Sequence, residues 1–185
     1  NNKDYRLFLA GEDRRIYAYD RSGTPVRGWN QFAVRGKVSD PVAFFRVRSK
    51  DYLFVSDDQA VYVLDRTGNI RVAHQEPLVK AQGSVASLTG GSDPEIIFAA
   101  PDGATVRLGF DGTSVRDTIS GLSAAHKTGF ADIDGDNMTD RITIDKGTVR
   151  AYGSSGSRLW TYSTGGTELR GPWFLNTGSG ERRTA

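Results

Sequence analysis

Four aspartates crowd the segment Ala131-Asp-Ile-Asp-Gly-Asp-Asn-Met-Thr-Asp140, at Asp132, Asp134, Asp136 and Asp140. Carboxylates at alternate positions of a tight loop converge on one point when a small residue permits the bend, and Gly135 is that residue. Calcium takes about six to eight oxygens in a flexible cage, which such a loop can begin to supply. Without a cation or solvent between them, acids this close repel one another. The segment therefore reads as a calcium loop. The competing use of the same residues is a solvated acidic turn, in which Asp side chains accept from nearby backbone N–H groups.

Other chemistry finds little support. The chain has no Cys and two His, His74 and His126, so thiolate chemistry and disulfides are excluded and a His-rich zinc site is not expected. Neither His has a visible partner constellation, and no Gly-x-Ser-x-Gly motif occurs. The adjacent acids Asp57-Asp58 and Glu12-Asp13 point their side chains apart, which rules against paired acid–base work. No catalytic or organic-cofactor residues are expected. The 24 basic and 22 acidic residues are interleaved and leave a net charge of +2, so nucleic acid and membrane surfaces are poor partners. No apolar run is long enough for a membrane span.

The elements that must position the acidic loop are short strands. With 22 Gly, 9 Phe and 7 Tyr and no sustained apolar period of a helix, the composition favours strands and tight turns. Paired runs at 5–10 and 15–20, 51–56 and 60–65, 95–100 and 105–110, and 140–145 and 148–152 each lead into a glycine turn. The turn glycines Gly23, Gly68, Gly112 and Gly156 recur about every 44 residues. Flanking runs at 42–47, 84–88 and 127–133 supply a first strand, and those at 70–74, 115–119 and 158–162 a fourth. A period near 44 built of four short strands predicts an all-β fold of β-propeller-type repeats, each a four-stranded antiparallel blade.

The approximate repeats are 5–39, 40–83, 84–123 and 124–169, with 170–185 as a closing strand or the start of a further blade. Pro172-Trp-Phe-Leu175 matches the first-strand run Pro41-Val-Ala-Phe-Phe45. It could complete the N-terminal blade of a four-bladed ring, or open the next blade of an arc of a larger propeller. The halt at Glu181-Arg-Arg-Thr-Ala185 favours the arc, and a chain that opens on Asn1-Asn2-Lys3 without Met is expected to be a processed or trimmed piece. The chain is thus expected to belong to a longer one. Arg placed beside apolar residues, as in Val26-Arg27, Ile70-Arg71, Val106-Arg107, Val115-Arg116 and Val149-Arg150, predicts strands with one buried and one wet face.

Two resemblances rest on these residues. Ile16-Tyr-Ala-Tyr-Asp-Arg-Ser-Gly23, Val61-Tyr-Val-Leu-Asp-Arg-Thr-Gly68 and the run from Val149 to Trp160 resemble the repeat of PQQ-type quinoprotein propellers. In that family the Trp matched by Trp160 docks one blade on the next; Trp29 follows its turn at a longer spacing, and the middle repeats have none. The Asp132 loop is similar to the FG-GAP or VCBS repeat, in which it joins the first two strands of a blade. That resemblance implies Ca²⁺ held by the side chains of Asp132, Asp134, Asp136 and Asp140 and by the backbone carbonyl of Met138.

The expected function is a non-enzymatic ligand- or protein-binding scaffold with one structural calcium, its partner a protein or carbohydrate. The ion is structural in this reading because its ligands all come from protein, whereas a catalytic metal keeps an open position. The alternative is the propeller portion of an enzyme, quinoprotein dehydrogenase-like or polysaccharide-active. A cell-envelope location, periplasmic or secreted, follows from where calcium is abundant and from the habits of both families.

Overall fold

A computed structural model of the chain describes residues 5–118, 121–172 and 174. They hold fourteen strands and no helix, so none is long and apolar enough to cross a membrane. A two-stranded sheet comes first, β1 (Arg6–Ala10) and β2 (Ile16–Asp20). Three four-stranded sheets follow. The first is β3 (Ala43–Val47), β4 (Lys50–Ser56), β5 (Val61–Leu64) and β6 (Ile70–Val72). The second is β7 (Ser87–Leu88), β8 (Ile96–Ala99), β9 (Thr105–Leu108) and β10 (Ser114–Asp117). The third is β11 (Lys127–Ala131), β12 (Asp140–Asp145), β13 (Thr148–Tyr152) and β14 (Arg158–Ser163). Each sheet is an antiparallel meander in chain order, the arrangement of a propeller blade.

The turns that follow β2, β5, β9 and β13 share one construction. The N–H groups of Gly23, Gly68, Gly112 and Gly156 donate to the carbonyls of Asp20, Asp65, Gly109 and Gly153. All four glycines have φ between 75° and 90°, where a side chain is strained. Asp65 Oδ1 also accepts from the N–H of Thr67 at 2.7 Å and of Asn69 at 3.1 Å. Gly153 replaces that Asp in the last copy without changing the backbone closure.

The sheets stack face to face, and this changes the burial pattern that alternation predicts. On β4, Tyr52 and Phe54 face the second sheet while Leu53 and Val55 face β2, so both sides are covered. On β8, Ile96 and Phe98 face the first sheet and Ile97 and Ala99 the third. One-sided strands are therefore not the rule: the inner strands bury both faces, and the outermost ones leave some of their apolar residues in solvent while others, such as Val72, reach the core. Ile70 on β6 and Val115 on β10 are exposed because the fourth strand is the outer rim of its sheet.

Several strands are shorter than their apolar runs, among them β11, which ends at Ala131 and not at 133. β7 starts at Ser87 and not at 84, because Val85 N–H donates to the Thr128 carbonyl of the next sheet at 2.8 Å and Ser84 Oγ accepts from Thr128 N–H at 2.9 Å. β6 ends at Val72, and beyond it the His74 ring bonds the carbonyls of Val61 and Glu76. The end of the 115–119 run, Trp173, Leu175 and the segment 181–185 lie outside the described residues.

The end sheets show what an uncovered face looks like. On β1 and β2 the cross-strand pairs Leu7–Tyr19 and Leu9–Tyr17 point away from the core, and Leu7 and Leu9 are exposed. On the far side of the third sheet, Ile142, Ala151 and Trp160 stand in one row with Gly129. Pro172 and Phe174 lie over Gly129, where an added Cβ would meet Pro172 Cγ at 2.6 Å and Phe174 Cε2 at 2.7 Å. Trp160 remains 43 % exposed, so no described sheet docks on it. Trp29 does sit at a junction: its indole N–H donates to the Ile16 carbonyl at 2.7 Å and its ring packs against Phe8.

Candidate metal centre

The acidic loop runs from the end of β11 to the start of β12, an antiparallel pair whose register sets Ala131 opposite Asp140. The chain must return over a short distance, and two left-handed residues, Gly135 at φ 84° and Asn137 at φ 64°, make the reversal. Asp132 staples the loop from inside: its Oδ1 accepts from Gly135 N–H at 2.7 Å and its Oδ2 from Asn137 N–H at 3.1 Å. Asp134 Oδ1 accepts from Asp136 N–H at 3.1 Å, and Asp136 Oδ1 from Met138 N–H at 2.7 Å. The result is that Asp132, Asp134 and Asp136 each bring a carboxylate oxygen within 4.8 Å of the others.

Asp140 differs from these exposed acids. It is fully buried, and its Oδ2 accepts from the N–H groups of Ile133 at 2.8 Å and Asp134 at 3.2 Å. Its Oδ1 is buried without a hydrogen-bond partner. A buried carboxylate oxygen left unsatisfied is costly unless a positive charge compensates it. Partial desolvation, together with the charges of Asp136, Asp140 and Asp132, pushes the Asp134 carboxyl above the usual carboxylate range, against the hydrogen bond from Asp136 N–H. The three clustered carboxylates of Asp132, Asp134 and Asp136 are an all-oxygen, overcharged set that fits a hard divalent cation such as calcium, and Asp140 stands outside that group. Met138 lies on this loop with its side chain 56 % exposed.

The loop is also a wall. Thr139 Oγ1 accepts from Gly90 N–H at 3.0 Å, tying the loop to the one between β7 and β8. Beside that contact, between the second and third sheets, opens a cavity of about 600 Å³ lined by Thr105, Arg107, Phe130, Met138, Arg141 and Tyr152 among others.

The remaining polar candidates are structural clamps. Asp57 Oδ1 accepts from the N–H groups of Gln59 and Ala60, and Oδ2 from those of Arg35 and Gly36 and from the Tyr62 hydroxyl. Asp58 Oδ1 takes Lys37 N–H. The adjacent acids thus bind the segment before β3 and do not cooperate on a common point. Lys80 is buried and donates to Asp40 Oδ2 at 2.7 Å and to the carbonyls of Ala81 and Ser84. These clamps have no local motif; their only trace in sequence is that Asp40, Ser84 and Thr128 are spaced at the repeat period.

His126, Ser123 and Asp145 lie together, but not as a nucleophile and its base. The Ser123 hydroxyl donates directly to Asp145, and the His126 ring bonds the Ser123 carbonyl at 2.7 Å through Nδ1. No proton path runs from the hydroxyl to the imidazole in this geometry.

Neither a family model nor a curated protein matches the chain, so neither resemblance of its sequence becomes a family assignment. Solved structures do match over most of its length. BBS1N in complex with ARL6DN, soaked with mercury, superposes with a TM-score of 0.63 at 14% identity, over 94% of this chain and 50% of that one. A protein of unknown function from Bacteroides caccae gives 0.55 at 9% identity, over 86% and 58%. BBS1N with ARL6DN, soaked with lead, gives 0.52 at 12% identity, over 88% and 65%. The chain spans half the length of the first of these. At such identities the likeness speaks for the fold alone, and the fold is all-β and β-propeller-like, built of four-stranded antiparallel blades.

Proposed function

We propose that the chain is a non-enzymatic, protein-binding propeller scaffold in which one Ca²⁺, held by Asp132, Asp134, Asp136, Asp140 and the Met138 carbonyl, stiffens the β11–β12 loop. The observation that carries the scaffold reading is the fold itself, four-stranded antiparallel blades that superpose on BBS1N. BBS1N, which shares the fold, is seen in complex with ARL6DN, and that supports a protein partner for a propeller of this shape. Pro172 and Phe174, about one repeat further along the chain than Gly129, lie over it, which supports continuation into a further blade.

The unsatisfied Oδ1 of Asp140 supports the cation. Extracellular calcium modules bind at about 10⁻⁴ to 10⁻³ M, which suits an exposed loop in the cell envelope or outside the cell. The scaffold reading is tested by mixing the protein with PQQ and Ca²⁺ and recording the visible spectrum after gel filtration. A scaffold emerges without quinone absorbance; a stoichiometric bound quinone overturns the reading in favour of a dehydrogenase module.

A further inference from the structure

We infer that the cavity between the second and third sheets binds a small hydroxylated carboxylate, of the uronic acid class, with the Arg141 guanidinium receiving the carboxylate. The inference goes beyond the scaffold reading and does not require the cation. Arg141 stands on β12 opposite Phe130 on one side and Tyr152 on the other. Its guanidinium lies over the Tyr152 ring at 4.6 Å, and Nη1 donates to Thr105 Oγ1 at 3.3 Å. Its Nε is buried without an acceptor, and no carboxylate pairs with it among the described residues. Stacking on an aromatic face holds the guanidinium plane still, so its remaining donors form a fixed fork.

Arg107 sits two residues from Thr105 on the same face of β9 and also has a buried Nε without a hydrogen bond. Unlike Arg141 it has acids at hand, Glu95 at 3.9 Å and Asp117 at 3.6 Å. The cavity is thus electrically divided, with an uncompensated cation at one side and a surplus of acid at the other. A dianion such as phosphate would meet Glu95 and Asp117 at a loss. A planar monoanion matches the fork, and hydroxyl groups on the same molecule can donate to the two acids. Thr89, Thr139, Ser154 and Ser155 add neutral hydrogen-bonding walls, and about 600 Å³ accommodates a monosaccharide acid.

The test is calorimetric titration of the whole chain with D-glucuronate and D-galacturonate, beside D-glucose and inorganic phosphate, each in calcium and in EDTA. Saturable binding of a uronate, at least tenfold tighter than glucose or phosphate, is expected in wild type. Arg141→Gln should weaken it at least tenfold, Arg141→Lys by an intermediate factor, and the rim variant Arg158→Gln not at all. In wild type the uronate should move the amide resonances of Thr105, Arg141 and Gly153 to Gly156, a readout that no variant's folding can confound. Absence of saturable uronate binding, equal affinity in a folded Arg141→Gln, tighter binding of phosphate, or shifts confined to other regions would each overturn the inference. Binding should persist in EDTA, and its loss there would overturn the inference that Arg141 receives the carboxylate without the cation.

Discussion

The junction between β3–β6 and β7–β10 is filled with hydrocarbon, and the junction between β7–β10 and β11–β14 is not. At the first, Phe54 and Phe98 meet at 5.4 Å between centroids, and Val61, Val63, Ile96, Val106 and Leu108 close the space around them. At the second, Phe130 has only Ala81, Ile97 and Ala99 as buried apolar company, and beside them lies the cavity with Arg107 and Arg141. The second sheet supplies both, and the difference lies on each side: it turns Phe98, Val106 and Leu108 toward Tyr52 and Phe54, and Ala99, Thr105 and Arg107 toward Arg141 and Tyr152. The loops follow the same division. Arg48 and Ser49 turn β3 into β4 in two left-handed residues, while β11 reaches β12 through the acidic loop. A dry junction holds the stack together, and a roomy polar one leaves space for a ligand and needs another means of fixing its wall.

The contrast breaks most visibly at Phe98, which is fully buried. Phe98→Ala should cost about 3–5 kcal/mol in urea unfolding, because facing aromatics cannot collapse into the space. Phe130→Ala should fall at the low end of that range, since its neighbours already border open volume; equal losses would erase the distinction. Next in size is the clamp at the start of the second repeat. Asp40→Ala leaves Lys80 buried with only carbonyl acceptors, and should cost about 3 kcal/mol, most of it recovered in the double variant with Lys80→Met.

A smaller effect is read through pH. Burial pushes the Asp57 carboxyl up, but hydrogen bonds from Gly36, Gln59, Ala60 and Tyr62 outweigh it and hold the group below the usual carboxylate range. A depressed carboxyl stabilises the fold fully above its unfolded value of about 3.9 and loses that contribution as pH falls through the folded value. Unfolding free energy should therefore drop below about pH 4, and Asp57→Asn should flatten that drop. An unchanged slope in the variant would show that Asp57 does not carry it.

Much of this architecture was legible in the chain, because strand runs and turn glycines are local signals. Gly23, Gly68, Gly112 and Gly156 mark their hairpins even where Asp gives way to Gly153. The place of the acidic loop between β11 and β12 was legible for the same reason, its aspartates lying within one turn. Face assignment was not, because alternation presumes one covered side and β4 and β8 have two. Arg141 and Arg107 were hidden for a different reason: in sequence they match every other Arg beside an apolar residue. What sets them apart is who stands beside them: Thr105 on the sheet packed opposite for Arg141, and for Arg107 an acid pair in its own sheet, Glu95 at the start of β8 and Asp117 on β10. The partnership of Asp57 with Arg35 and Gly36 likewise spans two repeats, and no local pattern announces it.

The central claim is that a cation fixes the wall of the second junction where hydrocarbon fixes the first. Calorimetric titration of Ca²⁺ into wild type and Asp134→Ala tests it most directly. The account predicts one ion per chain in wild type, with a dissociation constant between about 10⁻⁴ and 10⁻³ M, and no binding in the variant. No heat in wild type, or equal affinity in Asp134→Ala, would contradict it.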